Sequence, residues 1–147
     1  MQLFSLDSDP AFSHALATEL GVPLAAHEYR QFEDGECKLR PLLDPCGHDV
    51  YVVHSLYGEP GNSPHDKLCK LLMFIAALRD HGAARVTAVV PYLAYARKDR
   101  QTKPFDPVTQ RYVAQMFEAL GTARLMALEV HNVAAFQNAF RLHTVHL

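Results

Sequence analysis

The sequence predicts an α/β domain, a parallel sheet flanked by helices, on three observations. Helical segments alternate with short apolar runs, the rhythm of βαβ units. Three helical segments share one punctuation, an Asp-Pro or Ser-Pro at the start and a glycine at the end. The apolar runs are continuous rather than alternating, as strands buried on both faces are.

Taken in order, Gln2 to Leu6 is the first strand. Asp9-Pro10 then supplies an N-cap and a proline at the first helical position. Phe12, Leu16 and Leu20 recur every four residues and predict the buried face of that helix, closed by Gly21. Asp49 to Ser55, with Val50-Tyr51-Val52-Val53, is the next buried strand. Ser63-Pro64 opens a second helix with Leu68, Leu71, Leu72, Ile75 and Leu78 on one face and Gly82 at its end. Val86 to Val90 is a strand that Pro91 is expected to stop, since proline has no N–H for the ladder. Asp106-Pro107 predicts the start of a third helix, with Val108, Tyr112, Met116 and Leu120 four apart and Gly121 closing it. Arg124 to Val130 is a further strand, followed by a short helix from Val133 to Phe140.

One stretch breaks this alternation. Tyr29 to Arg40 carries Asp34-Gly35 between strand-like flanks, which predicts a β-hairpin with a two-residue type I′ turn. The segment reads either as a plain hairpin or as one that presents Phe32, Asp34 and Glu36 as a stacking and hydrogen-bonding surface.

The strongest candidate site follows Val90. The strand ends and the chain at once delivers Arg97, Lys98, Asp99 and Arg100. Ligands of open parallel sheets bind outside the carboxyl ends of strands. Arginine suits phosphate because its planar fork donates two parallel hydrogen bonds. The alternative is a solvated, charged surface loop. His131 ends the last buried run in the same way and reads as a structural histidine, a phosphate donor or a metal ligand. Gly58 to Ser63 precedes a helix N-terminus but lacks the Gly-Lys-Ser/Thr ending of a P-loop, so it reads as a connecting loop.

Composition bounds the rest. At 147 residues the chain fits one domain. A net charge of −2 gives no pull toward nucleic acid or an anionic membrane. No apolar run approaches a membrane span, and the first residues lack the basic and apolar regions of a secretory signal. Three cysteines, Cys37, Cys46 and Cys69, have no metal-like spacing and cannot all pair. The expectation is a reduced, cytoplasmic protein without membrane or nucleic-acid partners.

Three stretches together resemble the N-terminal half of ribose-phosphate pyrophosphokinase, or phosphoribosyl pyrophosphate synthetase. The family's F-S-D-G-E hairpin motif stands here as Phe32-Glu33-Asp34-Gly35-Glu36. Its P-Y-x-x-Y-A-R-Q-D-R stands as Pro91-Tyr92-Leu93-Ala94-Tyr95-Ala96-Arg97-Lys98-Asp99-Arg100. Its D-L-H stands as Glu129-Val130-His131. The resemblance implies a type I phosphoribosyltransferase-like fold. It implies an activity for the full-length protein, transfer of the diphosphoryl group of ATP to ribose 5-phosphate with Mg²⁺, in a homo-oligomer. By resemblance, Phe32, Asp34 and Glu36 contact the adenine end of ATP bound to a neighbouring subunit. Arg97 and Lys98 meet the ATP phosphates, with Asp99 and Arg100 beside them, and His131 sits by Mg²⁺.

The departures are specific. Lys98 replaces a glutamine, Glu129 and Asn132 replace the residues flanking the histidine, and Val133 to Asn138 does not match the family's Q-I-Q-G-F-F run. By resemblance, residues 1–147 are expected to correspond to the N-terminal domain alone. The acidic ribose-phosphate loop and the flexible basic loop of the family's second half have no counterpart here, so the chain is expected to be a fragment, inactive by itself. The alternative is a non-catalytic regulatory or oligomerisation subunit with the same fold. A phosphoribosyltransferase is disfavoured, because its diphosphate-sugar loop is missing.

Overall fold

The computed structural model describes every residue from Met1 to Leu147. In chain order the elements are β1 (Gln2–Ser5), α1 (Ala11–Leu20), β2 (His27–Gln31), β3 (Cys37–Pro41), β4 (Asp49–Val53), α2 (Pro64–Asp80), β5 (Arg85–Tyr92), α3 (Thr109–Ala119), β6 (Arg124–Glu129), α4 (Val133–Ala139) and β7 (His143–His146). Five strands form one sheet in the order β1-β4-β5-β6-β7, and every pair is parallel. The antiparallel pair β2-β3 stands apart as a hairpin that packs on α2.

Side chains alternate through the sheet. Phe4, Val50, Val52, Val86, Ala88, Val90, Leu125 and Ala127 face α2, α3 and α4 and form the main core with Leu71, Phe74, Phe117 and Phe136. Leu3, Val53 and Val89 point the other way, onto Ala17 of α1. A sequential strand order with all its connecting helices on one face is what right-handed crossovers produce. The exception lies at β1. After α1 the chain returns as Leu24, which bridges Leu3 in parallel at the outer edge of β1. From β1 the chain thus steps one way through α1, whereas from β4 it steps the other way through α2. Two neighbouring strands whose connections diverge to opposite faces leave a crevice between their carboxyl ends.

The second helix fits its sequence reading in full. Ser63 accepts the Asp66 N–H at 3.2 Å, and Asp66 accepts the Ser63 N–H at 2.9 Å, a capping box. Leu68, Leu71, Leu72, Ile75 and Leu78 are all buried. Several other expectations are corrected. Phe12 and Leu20 of α1 are exposed, and the helix instead buries Ser13 and Ala17. The buried stripe lies one position on from the 12/16/20 row, with Leu16 half-buried at its border. Tyr112 and Met116 of α3 are likewise exposed, while Gln110, Val113, Ala114 and Phe117 are buried. That helix begins at Thr109, not at Asp106-Pro107, because the Asp106 carboxylate is engaged in the preceding loop. The β5 strand runs past Pro91 to Tyr92. The ladder skips the proline and resumes with Tyr92 opposite Glu129.

The hairpin turn also differs. Gly35 has φ 92°, but Asp34 does not have positive φ, so the turn is not type I′. The Gly35 N–H donates to Phe32 O at 3.1 Å and the Phe32 N–H to Glu36 O at 2.8 Å. This is a three-residue loop, a type I turn closed by a glycine bulge. The sequence reading contains no counterpart of β7, whose His-Thr-Val-His lacks an apolar run because it is an edge strand.

Candidate functional site

The carboxyl ends of β5 and β6 are neighbours, held by the Tyr92–Glu129 register. Each therefore delivers its following segment to the same sheet edge. After β5 the chain folds through Leu93, Ala94 and Ala96, all buried, which anchor the loop to the core. Between them Tyr95 adopts φ 65°, the left-handed region that a bulky side chain rarely occupies. Its hydroxyl hydrogen-bonds His65 Nδ1 at the start of α2. The strained residue is thus held from both sides, and it turns the chain so that Arg97 emerges.

Arg97 and Arg100 are exposed, and neither takes part in an ion pair. Lys98 is different. Its ammonium lies 2.7 Å from Asp106 Oδ2, which also accepts from the Thr102 hydroxyl at 2.7 Å and from the Thr102 and Lys103 N–H groups at 3.0 Å each. Lys98 first, and Thr102 after it, hold the Asp106 carboxyl well below the usual carboxylate range. The positive charge of Lys98 therefore serves first to brace the loop. Asp99 Oδ2 accepts from Asn132 Nδ2 at 3.0 Å. Asn132 also caps α4 through Oδ1, which accepts the Ala135 N–H at 3.1 Å. One asparagine therefore ties the arginine loop to the segment that carries His131. Arg97, Asp99, Arg100 and His131 lie along one edge of the sheet.

Asn132 and Asp106 escaped the sequence reading as site residues. Asn132 did carry a signal, since asparagine directly before a helix is an N-cap pattern. Asp106 carried the same kind of signal and misled, because its carboxylate caps a loop.

The hairpin residues stand elsewhere. Phe32, Asp34 and Glu36 are all exposed. The Arg30 guanidinium lies 5.2 Å above the Phe32 ring, and Asp34 Oδ1 accepts the Glu36 N–H at 3.1 Å. No hydrogen bond joins the tip to the arginine loop. With Arg30, Gln31 and Glu33 these side chains line only a shallow surface depression.

His131 is exposed, and no group of three His, Cys, Asp or Glu side chains converges anywhere in the chain. Mg²⁺ takes oxygen ligands and commonly arrives with phosphates rather than in an all-protein cage. The residues of this chain do not fit a resident metal.

The sequence profile of the N-terminal domain of ribose phosphate pyrophosphokinase matches residues 1–121. The chain belongs to the ribose-phosphate pyrophosphokinase family. It is 33% identical over its whole length to ribose-phosphate pyrophosphokinase 1 of Streptococcus pyogenes, covering 44% of that protein. The same figures hold for ribose-phosphate pyrophosphokinase of Clostridium perfringens. Among solved structures, phosphoribosylpyrophosphate synthetase from Mycobacterium smegmatis superposes with a TM-score of 0.91 at 29% identity, over 99% of this chain and 47% of that one. As a ribose-phosphate pyrophosphokinase domain, the chain thus spans under half the length of the curated relatives it matches. The parallel sheet with its flanking helices is the fold of that structural neighbour. No helix is long and apolar enough to cross a membrane.

Proposed function

We propose that this chain is the ATP-binding half of an enzyme that transfers the diphosphoryl group of ATP to ribose 5-phosphate, giving phosphoribosyl pyrophosphate and AMP. The observation that carries this reading is the Asn132–Asp99 bond. It fixes the arginine loop beside the His131 segment, at the sheet edge where a nucleotide's phosphates would lie. Arg97 and Arg100 grip phosphate oxygens there, and their guanidinium forks are free to do so. Lys98 shapes the loop through Asp106. Asp99 orients the loop, and His131 donates to a phosphate oxygen. Mg²⁺ reaches this edge with the nucleotide.

Phe32, Asp34 and Glu36 serve the adenine end of a nucleotide held by a second copy. Their exposure and their separation from the arginine loop support this division. The functional unit on this reading is a homo-oligomer in the cytoplasm. Phosphoryl transfer asks mainly for positioning and charge stabilisation, and in-line placement of the attacking hydroxyl supplies roughly 7–11 kcal/mol. Groups that would place that hydroxyl belong to the region of the relatives that this chain does not cover. The chain alone is therefore inactive on this reading.

Calorimetric titration with ATP, beside an AMP-formation assay, tests it. The 147-residue chain binds ATP with a dissociation constant on the order of millimolar. Arg97→Ala abolishes that binding, and no AMP forms with ribose 5-phosphate and Mg²⁺. Binding that survives Arg97→Ala rejects the loop as the phosphate site. Turnover by the chain alone rejects the division of labour.

A further inference from the structure

Two of the three free cysteines share one contact between elements. Cys37 opens β3, the hairpin strand that lies on α2, and Cys69 stands in the second turn of that helix. The pleat decides which way Cys37 faces. Cys37, Leu39 and Pro41 are the half-buried set of β3, and Lys38 and Arg40 are exposed. Leu39 packs against the main core, so Cys37, two residues away, faces the same side.

The other strand of the hairpin supplies the position along the helix. The His27 ring lies 5.8 Å from the Phe74 ring, and Lys70 Nζ lies 4.9 Å from the centre of the Tyr29 ring. Two strand residues therefore span about one helical turn, and the next step, Gln31, falls on the turn that carries Asp66. Cys37 is the ladder partner of Gln31. The charges that act on its thiol come accordingly from Lys70, Cys69 and Asp66. These three are neighbours on one helix face, at spacings of three and four. Cys46 stands apart. Its sulfur lies beside Gly82, past the far end of α2, where an added Cβ would come within 3.2 Å of it. The helical rise puts roughly 20 Å between that end and Cys69. A disulfide needs Cα atoms within about 7 Å.

The two thiols also differ as a redox pair requires. Cys69 is exposed, whereas Cys37 is half-buried and burial, above all, pushes its thiol up. An accessible thiol reacts first with a soluble disulfide, and a shielded one then resolves the adduct.

We propose that Cys37 and Cys69 form a reversible disulfide that staples the root of the hairpin to α2. The oxidant is a small-molecule disulfide such as oxidised glutathione. The Cys69 thiolate attacks one glutathione sulfur, the glutathione S–S bond breaks, and one glutathione leaves with the proton that Cys69 lost. The Cys37 thiolate then attacks the Cys69 sulfur, the protein S–S bond forms, and the second glutathione leaves with the Cys37 proton. Two protein thiols are oxidised and one small disulfide is reduced. In a reducing medium the pair stays open, so the bond registers a rise in oxidant. Glu36 directly precedes Cys37, and the bond thus anchors the chain next to the hairpin tip. No residue of the arginine loop takes part, so the proposal stands or falls independently of the ATP reading.

The test oxidises the intact chain in graded mixtures of reduced and oxidised glutathione and maps the products by non-reducing peptide mass spectrometry. The expected main product joins Cys37 to Cys69 within one chain, and dithiothreitol reverses it. Cys37→Ser stops Cys69 at the glutathione adduct, Cys69→Ser leaves Cys37 largely unmodified, and Cys46→Ser changes nothing. Hydrogen exchange across β2 and β3 slows at least about fivefold on oxidation, while the arginine loop keeps its rates. Should a variant fail to fold, mapping of the unsubstituted chain decides. Three products overturn the proposal: Cys69 left as the glutathione adduct beside a free Cys37, a bond that includes Cys46, or a Cys69 link between two chains. A Cys37–Cys69 bond that leaves hairpin exchange unchanged overturns the staple.

Discussion

The arginine loop and the hairpin tip both carry charged and aromatic side chains outside regular structure, yet they are held in opposite ways. The loop is tied to the rest of the domain at three points: Tyr95 to His65, Asp99 to Asn132, and the Lys98 carbonyl to the Gln110 N–H at 3.2 Å. Its internal brace, Lys98 on Asp106, adds a fourth restraint. The tip makes only local contacts, Asp34 with Glu36 and Arg30 with Phe32. A loop fixed from several elements can present a preorganised surface to a ligand. A hairpin held along α2 but free at its tip presents the tip side chains to whatever approaches from outside.

The contrast is sharpest at the base of the hairpin. Phe74 of α2 is fully buried, with its ring 5.3 Å from Phe4 and 5.8 Å from His27 of β2. Phe74→Ala is expected to cost about 3–5 kcal/mol in urea unfolding. Hydrogen exchange in the partly destabilised chain should rise across β2 and β3 before it rises in the arginine loop. Equal loosening of both would break the distinction. Gly35→Ala comes next. Its φ of 92° is strained for any side chain although no atom would crowd the added carbon, so a loss of about 1–2 kcal/mol is expected. Asn132→Ala removes the α4 cap and the tie to Asp99, for about 1 kcal/mol. Asn132→Asp keeps the cap but sets a carboxylate against Asp99, so it should retain stability while freeing the arginine loop in hydrogen exchange.

Smaller effects follow from charge and exposure. Phe32→Ala should change stability by no more than about 0.5 kcal/mol, since the ring is exposed. The Asp106 carboxyl is held below its ordinary range by Lys98 and Thr102. A carboxyl whose pKa falls on folding contributes fully above its unfolded value of about 3.9, and the contribution is lost as pH falls through the folded value. Acid titration should therefore leave the arginine loop ordered down to about that pH and loosen it below. Asp106→Asn should abolish this acid limb and leave the hairpin unchanged.

Much of this was legible in the residues, and the failures have a pattern. Helix α2 announced itself because its cap and its leucines lie side by side in sequence. The α1 and α3 faces depend on helix phase, which a single row of large side chains four apart does not fix. The buried stripes are Ser13 and Ala17 in α1 and Gln110, Val113, Ala114 and Phe117 in α3, so Phe12 and Tyr112 remain outside. The arginine loop was visible as a charge cluster after a strand, but the pairing of Lys98 with Asp106 was not, since it depends on where the chain turns. The crevice beyond β1 and β4 left no local motif at all. Asp7, His27, His54 and Lys67 are scattered along the chain, and only the reversal of direction after β1 gathers them.

That reversal leaves little mark on the order of assembly. Gln2 pairs with Val50, Val50 with Val86 and Thr87 with Arg124, so the chain between partners is of similar length whether the connection reverses or runs on. Loop closure costs only about 0.6 kcal/mol more for each doubling of length. The edge strand therefore closes at nearly the same cost as the central ones, and the sheet is expected to form in one cooperative step.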